Sequence, residues 1–423
     1  MDTIDFGLPN IDKKPASWDS HIIKVIGVGG GGNNAVAMMY NDGFRDVRFE
    51  ICNTDFTALE DNPVPVRRQL GADGLGVGGD PEKGRKLAEE NIDEIHKMFD
   101  DGTRMLFITA GMGGGTGTGV SPVIAKEARK AGILTVGVVT IPFKFERNKR
   151  IDRALDGLQV LSANVDSLLV VNNDRLQDIC PFNTFKAALK ISDHILYDAV
   201  KSISDIIKTH MKINQDFNDV CNVLKDGGIA LIGYGEAEGE NRVQEALRKA
   251  VNSPLLNDND IFNAKKMLMS IYTSDDDDDT LTMQETRDIS AFMDRFKDDD
   301  IDTKFGIAYM PDMGRKVKII ILASGFGLRT QKFMAPNMRK DNADVADEEQ
   351  STIDPEGRRP AFYDTASFRN VRNIFTFDDS DLDNDNIIDA VAASDTKTRK
   401  YNTLRSIVRA SARNLKTISF VGA

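Results

Sequence analysis

Two glycine-rich segments hold the residues best able to do chemistry. The first, Gly27-Val28-Gly29-Gly30-Gly31-Gly32-Asn33-Asn34, lies between an apolar run, His21–Val28, and a helical pattern over Asn34–Tyr40. Glycines there let backbone N–H groups approach a phosphate closely, and the start of the helix favours an anion. The segment also fits G-x-G-x-x-G, the dinucleotide fingerprint, and a ligand-free glycine turn is the plain alternative. The second, Gly111-Met112-Gly113-Gly114-Gly115-Thr116-Gly117-Thr118-Gly119, again follows a strand-like run and precedes a helical one. One such loop serves a dinucleotide, whereas two on parallel strands suit the separate phosphates of one nucleoside triphosphate. Neither loop holds a lysine, and G-x-x-x-x-G-K-[ST] does not occur. Charge neutralisation therefore falls to backbone dipoles and to Mg2+ carried by the phosphates. A third stretch, Gly74–Pro81, includes Gly78 and fits either the far end of a triphosphate or a plain surface loop. Farther on, Asn214-Gln215-Asp216-Phe217-Asn218-Asp219 places two carboxylates three residues apart, on one side of a helix if the segment is helical. A bare pair of this kind reads more readily as a helix cap than as catalytic machinery.

The elements that position these loops follow from hydrophobic periodicity. Short apolar runs at 21–28, 47–53, 104–110, 133–141 and 167–171 read as buried strands, alternating with helical patterns at 34–40, 81–99 and 122–130. That alternation predicts βαβ units and a doubly wound parallel sheet. From Asn183 to Met211, Ile191, Ile195, Leu196, Ala199, Ile203, Ile206 and Ile207 recur every three or four residues, which predicts a long helix buried on one face. A smaller α/β half follows: strands at 229–234, 264–273, 305–309 and 317–323, the last two adjacent, and helices at 242–252 and 282–296. The predicted organisation is a flexible arm at 1–20, a nucleotide-binding domain at 21–182, a central helix at 183–213 and a second domain at 214–328. A polar linker at 329–395, which reads as disordered, and a basic tail at 396–423 complete it.

Composition narrows the classes. The 423-residue chain is 41% hydrophobic and carries a net charge of -12, which disfavours nucleic acid as a bulk electrostatic partner. Cys52, Cys180 and Cys221 form no CxxC pair, and the four histidines are scattered, so a disulfide framework or a protein-built metal site is not expected. A reducing cytoplasm is the simple reading. The first twenty residues lack an apolar core of the signal-peptide kind, and no run is long enough to span a membrane. Asp275–Asp279 lacks the spacing and turn glycine of a calcium loop and reads as a solvated loop.

The motifs together resemble the tubulin/FtsZ family of self-assembling GTPases. GVGGGGNNAV, CNTD at 52–55, GLGVGGDP, AGMGGGTGTG at 110–119, TIPFKFE at 140–146, NQDFNDV at 214–220 and NSPLL at 252–256 occur in the family's order, over roughly residues 21–327. The resemblance implies a GTPase domain, a central helix and an activation domain, with GTP or GDP and Mg2+ bound. By matched position it implies that Gly29, Gly30, Gly31, Asn34, Gly78, Gly113, Gly114, Gly115, Thr116, Gly117, Thr140 and Pro142 hold the nucleotide. Glu146 and Arg150 match the family's sugar- and phosphate-contacting pair, although their spacing also fits an ordinary helix pair. Asp193 falls where the guanine-reading acid sits, and Leu189 stands where relatives often place a base-stacking aromatic. Asn214, Asp216 and Asp219 match the loop that enters the next subunit's nucleotide site, with Gln215 in place of the usual small apolar residue. The resemblance further implies head-to-tail homopolymers near the inner membrane at the division site, with adaptor or membrane-tethering proteins docked through the C-terminal tail. Arg358–Tyr363 and a basic amphipathic stretch at 397–416 are the candidate docking segments. A dinucleotide-dependent oxidoreductase and a nucleotide-binding scaffold that does not hydrolyse are the alternative readings.

Overall fold

The computed structural model describes residues 22–44, 47–179, 182–209, 211–252, 261–296, 301–311 and 313–326. The N-terminal arm, most of the NSPLL motif, the linker and the basic tail lie outside the described residues, as does Cys180. Ten strands form one sheet: β1 (Ile23–Val28), β2 (Arg48–Asn53), β3 (Arg67–Gln69), β4 (Met105–Gly111), β5 (Leu134–Ile141), β6 (Ser167–Asn172), β7 (Gly228–Glu238), β8 (Lys266–Ser274), β9 (Asp302–Met310) and β10 (Lys316–Ser324). The helices are α1 (Gly29–Asn41), α2 (Phe56–Glu60), α3 (Pro81–Glu90), α4 (Ile92–His96), α5 (Thr116–Lys130), α6 (Asn148–Ser162), α7 (Leu176–Ile179), α8 (Phe185–Lys208), α9 (Phe217–Leu224), α10 (Arg242–Val251) and α11 (Glu285–Met293).

The strand order is β3-β2-β1-β4-β5-β6-β7-β10-β8-β9, and every pair from β3 to β7 is parallel. β1 and β6 are buried at every residue, as a parallel sheet covered on both faces requires. The first six strands have the 3-2-1-4-5-6 order of doubly wound sheets, in which the direction of winding reverses between β1 and β4. Both major glycine loops leave the carboxyl ends of those two strands, so they open into the crevice where such sheets bind ligands.

The expected α/β architecture is present, with informative differences in its boundaries. α1 starts at Gly29 rather than at Asn34, and α5 starts at Thr116 rather than at Pro122. Gly29–Gly32 therefore form the first turn of α1, while Gly117 and Gly119 lie in the first turn of α5 just after Gly113–Gly115; the first N–H groups of a helix have no partner within it. The pattern at 81–99 breaks at Asn91, whose backbone leaves helical geometry (φ -106, ψ 31) while its amide donates to the Leu87 carbonyl at 2.8 Å. β9 and β10 are consecutive but not partners: β9 pairs in parallel with β8, and β10 runs antiparallel between β7 and β8. β3, only Arg67–Gln69, carries no apolar pattern and was not expected.

α8 is the long helix predicted from the isoleucine spacing, starting at Phe185 behind Thr184, whose hydroxyl accepts from the Ala187 N–H at 3.2 Å. Its 24 residues span about 36 Å. Ile195, Leu196, Ala199, Val200, Ile203 and Ile206 are buried in a core that also takes in α1, β5, β8 and β10. Asp205, on the same helix, pairs with Lys318 of β10 at 2.8 Å. A second core lies around α10 and α11, on Leu247, Ile271, Ile289, Phe292 and Ile319.

Candidate active site: a nucleotide cleft and a remote acidic pair

A cleft of about 460 Å³ opens at the carboxyl ends of β1, β4, β5 and β6, within the range of small-molecule sites. Gly29, Gly30 and Gly31 line it from the start of α1, and Gly114, Gly115, Thr116 and Gly117 from the start of α5. Thr140, near the carboxyl end of β5, and Pro142, just after it, line it too, followed by Glu146 and Arg150. Two helix N-termini thus face one cavity, a geometry suited to an anion with several phosphates. The loops approach backbone to backbone. A Cβ at Gly32 would lie 2.0 Å from the Thr109 carbonyl oxygen, so only glycine lets α1 sit against β4. Beneath the loops, the Thr54 and Thr116 hydroxyls are hydrogen-bonded at 2.7 Å.

Other predicted residues lie elsewhere. Gly113 is turned inward: its N–H donates to Thr118 Oγ1 at 2.8 Å, and its lack of a side chain lets the Arg150 backbone pack against it. Asn34 is exposed on α1 outside the lining, and the buried neighbour is Asn33. With its amide oriented to satisfy its surroundings, Asn33 donates to the carbonyls of Gly27 and Gly29 and pins the start of α1. Gly78 is also exposed outside the lining, but its neighbours Val77 and Gly79 abut Gly115, so the third glycine stretch buttresses the second.

Glu146 and Arg150 form an ion pair at 2.8 Å, and Glu146 Oε1 also accepts from the Phe143 N–H at 2.9 Å. Glu146 belongs to a 3-10 turn and Arg150 to α6, so the pair bridges two elements and frames one wall of the cleft. Between them Arg147 adopts φ 76, ψ 156, a conformation almost reserved for glycine.

Sequence reasoning missed the aromatic wall. Phe143, Phe145 and Phe185 all line the cleft and pack as one cluster, with centroids 5.0 Å apart for Phe143–Phe145, 5.5 Å for Phe143–Phe185 and 5.8 Å for Phe145–Phe185. Asn173, the first residue after β6, was missed as well; its Oδ1 accepts from Ser192 Oγ at 2.8 Å. Its position at the carboxyl end of a parallel strand was the available signal. Along α8, Phe185, Leu189 and Asp193 follow one another at four-residue spacing on one face, the first two lining the cleft. Asp193 is partly buried outside the lining, and desolvation raises its carboxyl to about 6 against the opposing pull of His194.

Asn214, Asp216 and Asp219 are not part of the cleft lining. Asp216 caps α9: its Oδ1 accepts from the N–H groups of Asn218 at 2.8 Å and Asp219 at 3.0 Å. Asp219 Oδ2 accepts from the Asp216 N–H at 3.1 Å, completing a capping box, and its Oδ1 lies 3.4 Å from Lys304 Nζ. Asn214 and Asp216 are exposed. Gln215, between them, is 2% exposed; its Nε2 donates to the Met269 carbonyl at 3.0 Å and its Oε1 accepts from Ser270 Oγ. It anchors the loop to β8 while its neighbours face outward. Among the described residues no group of three or more His, Cys, Asp or Glu side chains could hold a metal, and no helix is long and apolar enough to cross a membrane.

Comparison with known proteins decides the family. Residues 22–181 match the GTPase domain of the Tubulin/FtsZ family, and residues 228–327 match the C-terminal domain of the FtsZ family. The cell division protein FtsZ of Porphyromonas gingivalis is 49% identical over 315 residues, 74% of this chain and 68% of that protein. The chain belongs to the FtsZ family. It is a family GTPase and binds guanine nucleotide, which sets aside the oxidoreductase and non-hydrolysing readings. A solved FtsZ dimer from M. jannaschii is 37% identical with a TM-score of 0.64, covering 72% of this chain and 88% of that one. A CetZ2 protofilament with bound GTPgS from Haloferax volcanii, 23% identical with a TM-score of 0.63 over 74% of this chain and 96% of that one, shares the fold. Residues 369–414 match a further FtsZ C-terminal model, so family similarity resumes beyond the 21–327 limit expected from the motifs, across the end of the segment read as a linker and most of the basic tail.

Proposed function

We propose that GTP lies in the cleft with its phosphates on the N-termini of α1 and α5, its sugar beside Glu146 and Arg150, and its guanine at the α8 end near Asp193. We further propose that hydrolysis needs a second copy of the chain. The supporting observation is that Asp216 and Asp219 cap α9 outside the cleft lining, so a subunit's own nucleotide is not served by its own acids. In a head-to-tail filament, the loop at 214–219 of one subunit meets the cleft of the next. Its two carboxylates orient a water, whose oxygen bonds to the γ-phosphorus while the bond to the bridging oxygen breaks, releasing GDP and phosphate. Asp216 spends Oδ1 on its cap bonds; in this reading its second oxygen is the water acceptor.

The cleft offers glycine N–H groups and hydroxyls rather than clustered carboxylates, so Mg2+ fits as a companion of the phosphates and not as a protein-held ion. Bound there, it would neutralise phosphate charge. The role of the filament is a division ring in the cytoplasm near the inner membrane, with the C-terminal segment as the tether to adaptor or membrane-bound proteins. Phosphate release measured against protein concentration tests the shared site. A turnover per subunit that rises steeply above a threshold, where sedimentation first shows polymer, is expected. Turnover per subunit independent of concentration would place all catalytic groups in one chain.

A further inference from the structure

A buried pair of hydroxyls beneath the cleft is placed to do more than pack. Thr54, the residue after β2, is 1% exposed, and its hydroxyl lies 2.7 Å from that of Thr116, the first residue of α5. Among the described residues neither hydroxyl has another hydrogen-bond partner. Thr116 belongs to the cleft lining and is partly exposed, so one hydroxyl of the pair is sealed in the protein while the other opens on the site. The sealed one is held firmly. The Thr54 N–H donates to Asn53 Oδ1 at 2.9 Å, and the Thr54 carbonyl accepts from the Gly76 N–H at 2.9 Å. Gly76 lies in the third glycine stretch, which also abuts Gly115 through Val77 and Gly79. That stretch therefore bears on Gly115 directly and on Thr116 through Thr54.

We infer that Thr54 is a positioning residue for the bound nucleotide, turning the Thr116 hydroxyl so that its hydrogen points at a phosphate oxygen. This role rests on the phosphates lying at the start of α5, as proposed above. Each hydroxyl can donate or accept, so the bond between the pair has two possible directions. With Thr116 as donor, its oxygen shows the cleft only lone pairs, which repel an anion. With Thr54 as donor, the Thr116 hydrogen is free, and the chain runs from Thr54 to Thr116 to the phosphate. Hydrogen bonds in such a chain polarise one another, and an ionised acceptor strengthens the last of them. Neither major glycine loop holds a lysine, so each oriented neutral donor counts for more in holding the charge. Threonine also suits the task because its branched Cβ restricts rotation of the hydroxyl-bearing side chain.

A double-mutant cycle on the GTP affinity of the monomer tests this, with Thr54→Val, Thr116→Val and the two combined, each checked for folding by its unfolding midpoint. Thr54→Val is expected to weaken GTP binding about five-fold, the worth of one net hydrogen bond, and Thr54→Ser to restore it. Thr116→Val should weaken binding at least as much, and adding Thr54→Val to it should cost nothing further, because the hydroxyl to be turned is gone. Thr54→Ala enters the same cycle as a smaller replacement, so that a misfolded Val variant does not hide the result. No loss in Thr54→Val, equal losses with and without the Thr116 hydroxyl, or a Thr54→Ser variant as weak as Thr54→Val would make Thr54 a packing residue and overturn the inference. Undiminished GTP affinity in Thr116→Val would instead remove the phosphates from the start of α5, the placement on which the role of Thr54 rests, so the two failures are distinguishable.

Discussion

Asp216 has one duty in the structure and a second in the proposed filament, and a pair of substitutions separates them. As N-cap of α9 it accepts two backbone N–H bonds through Oδ1; in the proposed filament it also acts on the neighbour's water. Asp216→Ala removes both. Losing a cap of this type costs about 1 kcal/mol, and up to about 2. Asp216→Asn keeps an oxygen where Oδ1 stands and is an equally good cap, but it removes the charge. Its stability cost is then only the helix-dipole contribution of a first-turn anion, about 0.5 kcal/mol. Its effect on chemistry should be far larger, because a group that directs a proton in the transition state contributes about 10²–10⁴ in rate. Lys304 does not rescue the charge, since its partner is Asp219 and the pair is half-exposed.

The expected outcome is therefore a dissociation. Asp216→Asn should unfold in denaturant near the wild-type midpoint, bind GTP as a monomer like the wild type, sediment as polymer with GTP, and release phosphate at least a hundred-fold more slowly. Asp216→Ala should show the same slow turnover with a measurable loss of stability. Wild-type turnover per polymerised subunit in Asp216→Asn would refute the reasoning, because the carboxylate would then be a cap and nothing more. A loss of GTP affinity in the monomer that matches the loss of rate would refute it differently, by placing Asp216 in its own subunit's cleft.

The other predictions are briefer. In the proposed pose Asp193 reads the guanine; its carboxyl is raised to about 6, so it becomes protonated as pH falls through that value and in that pose no longer accepts from both guanine N–H groups, and GTP affinity should fall below about pH 6 and be flat in Asp193→Asn, measured by titration across that range. Arg147→Gly should stabilise the chain by about 1 kcal/mol in denaturant unfolding, because φ 76, ψ 156 strains any side-chain-bearing residue while the glycine's larger unfolded-state entropy offsets part of the gain. Gln215→Ala should destabilise by about 2–3 kcal/mol, since it strands the Met269 carbonyl and the Ser270 hydroxyl in the interior, and should slow GTP hydrolysis in polymer by loosening the acid loop.

How much of this was legible in the sequence depended on whether the determining contact was local. β1, β4, β5 and β6 were readable because a strand buried on both faces has to be apolar throughout, and α8 because one face of a long helix has to repeat. The starts of α1 and α5 were misplaced because glycine is a poor helix former in isolation; here the pressure of Gly32 against Thr109 and of Gly117 against Gly111 makes it the only residue that fits. The same non-local cause hides the role of Gln215, which read only as a departure from the usual small apolar residue, because its partners on β8 lie more than fifty residues away. The order of β8, β9 and β10 is likewise a property of crossings and not of any one run. The aromatic wall is the instructive case. Leu189 read as a missing ring because the expectation tracked one position along the chain. The cleft is indifferent to which strand or helix delivers a ring, and three phenylalanines from the segment after β5 and the head of α8 meet beside it. A site assembled from several strand ends can keep its chemistry while exchanging the residues that supply it, so position-by-position transfer is most secure for the glycines, whose role is to be absent, and least secure for side chains that reach in from a neighbouring element.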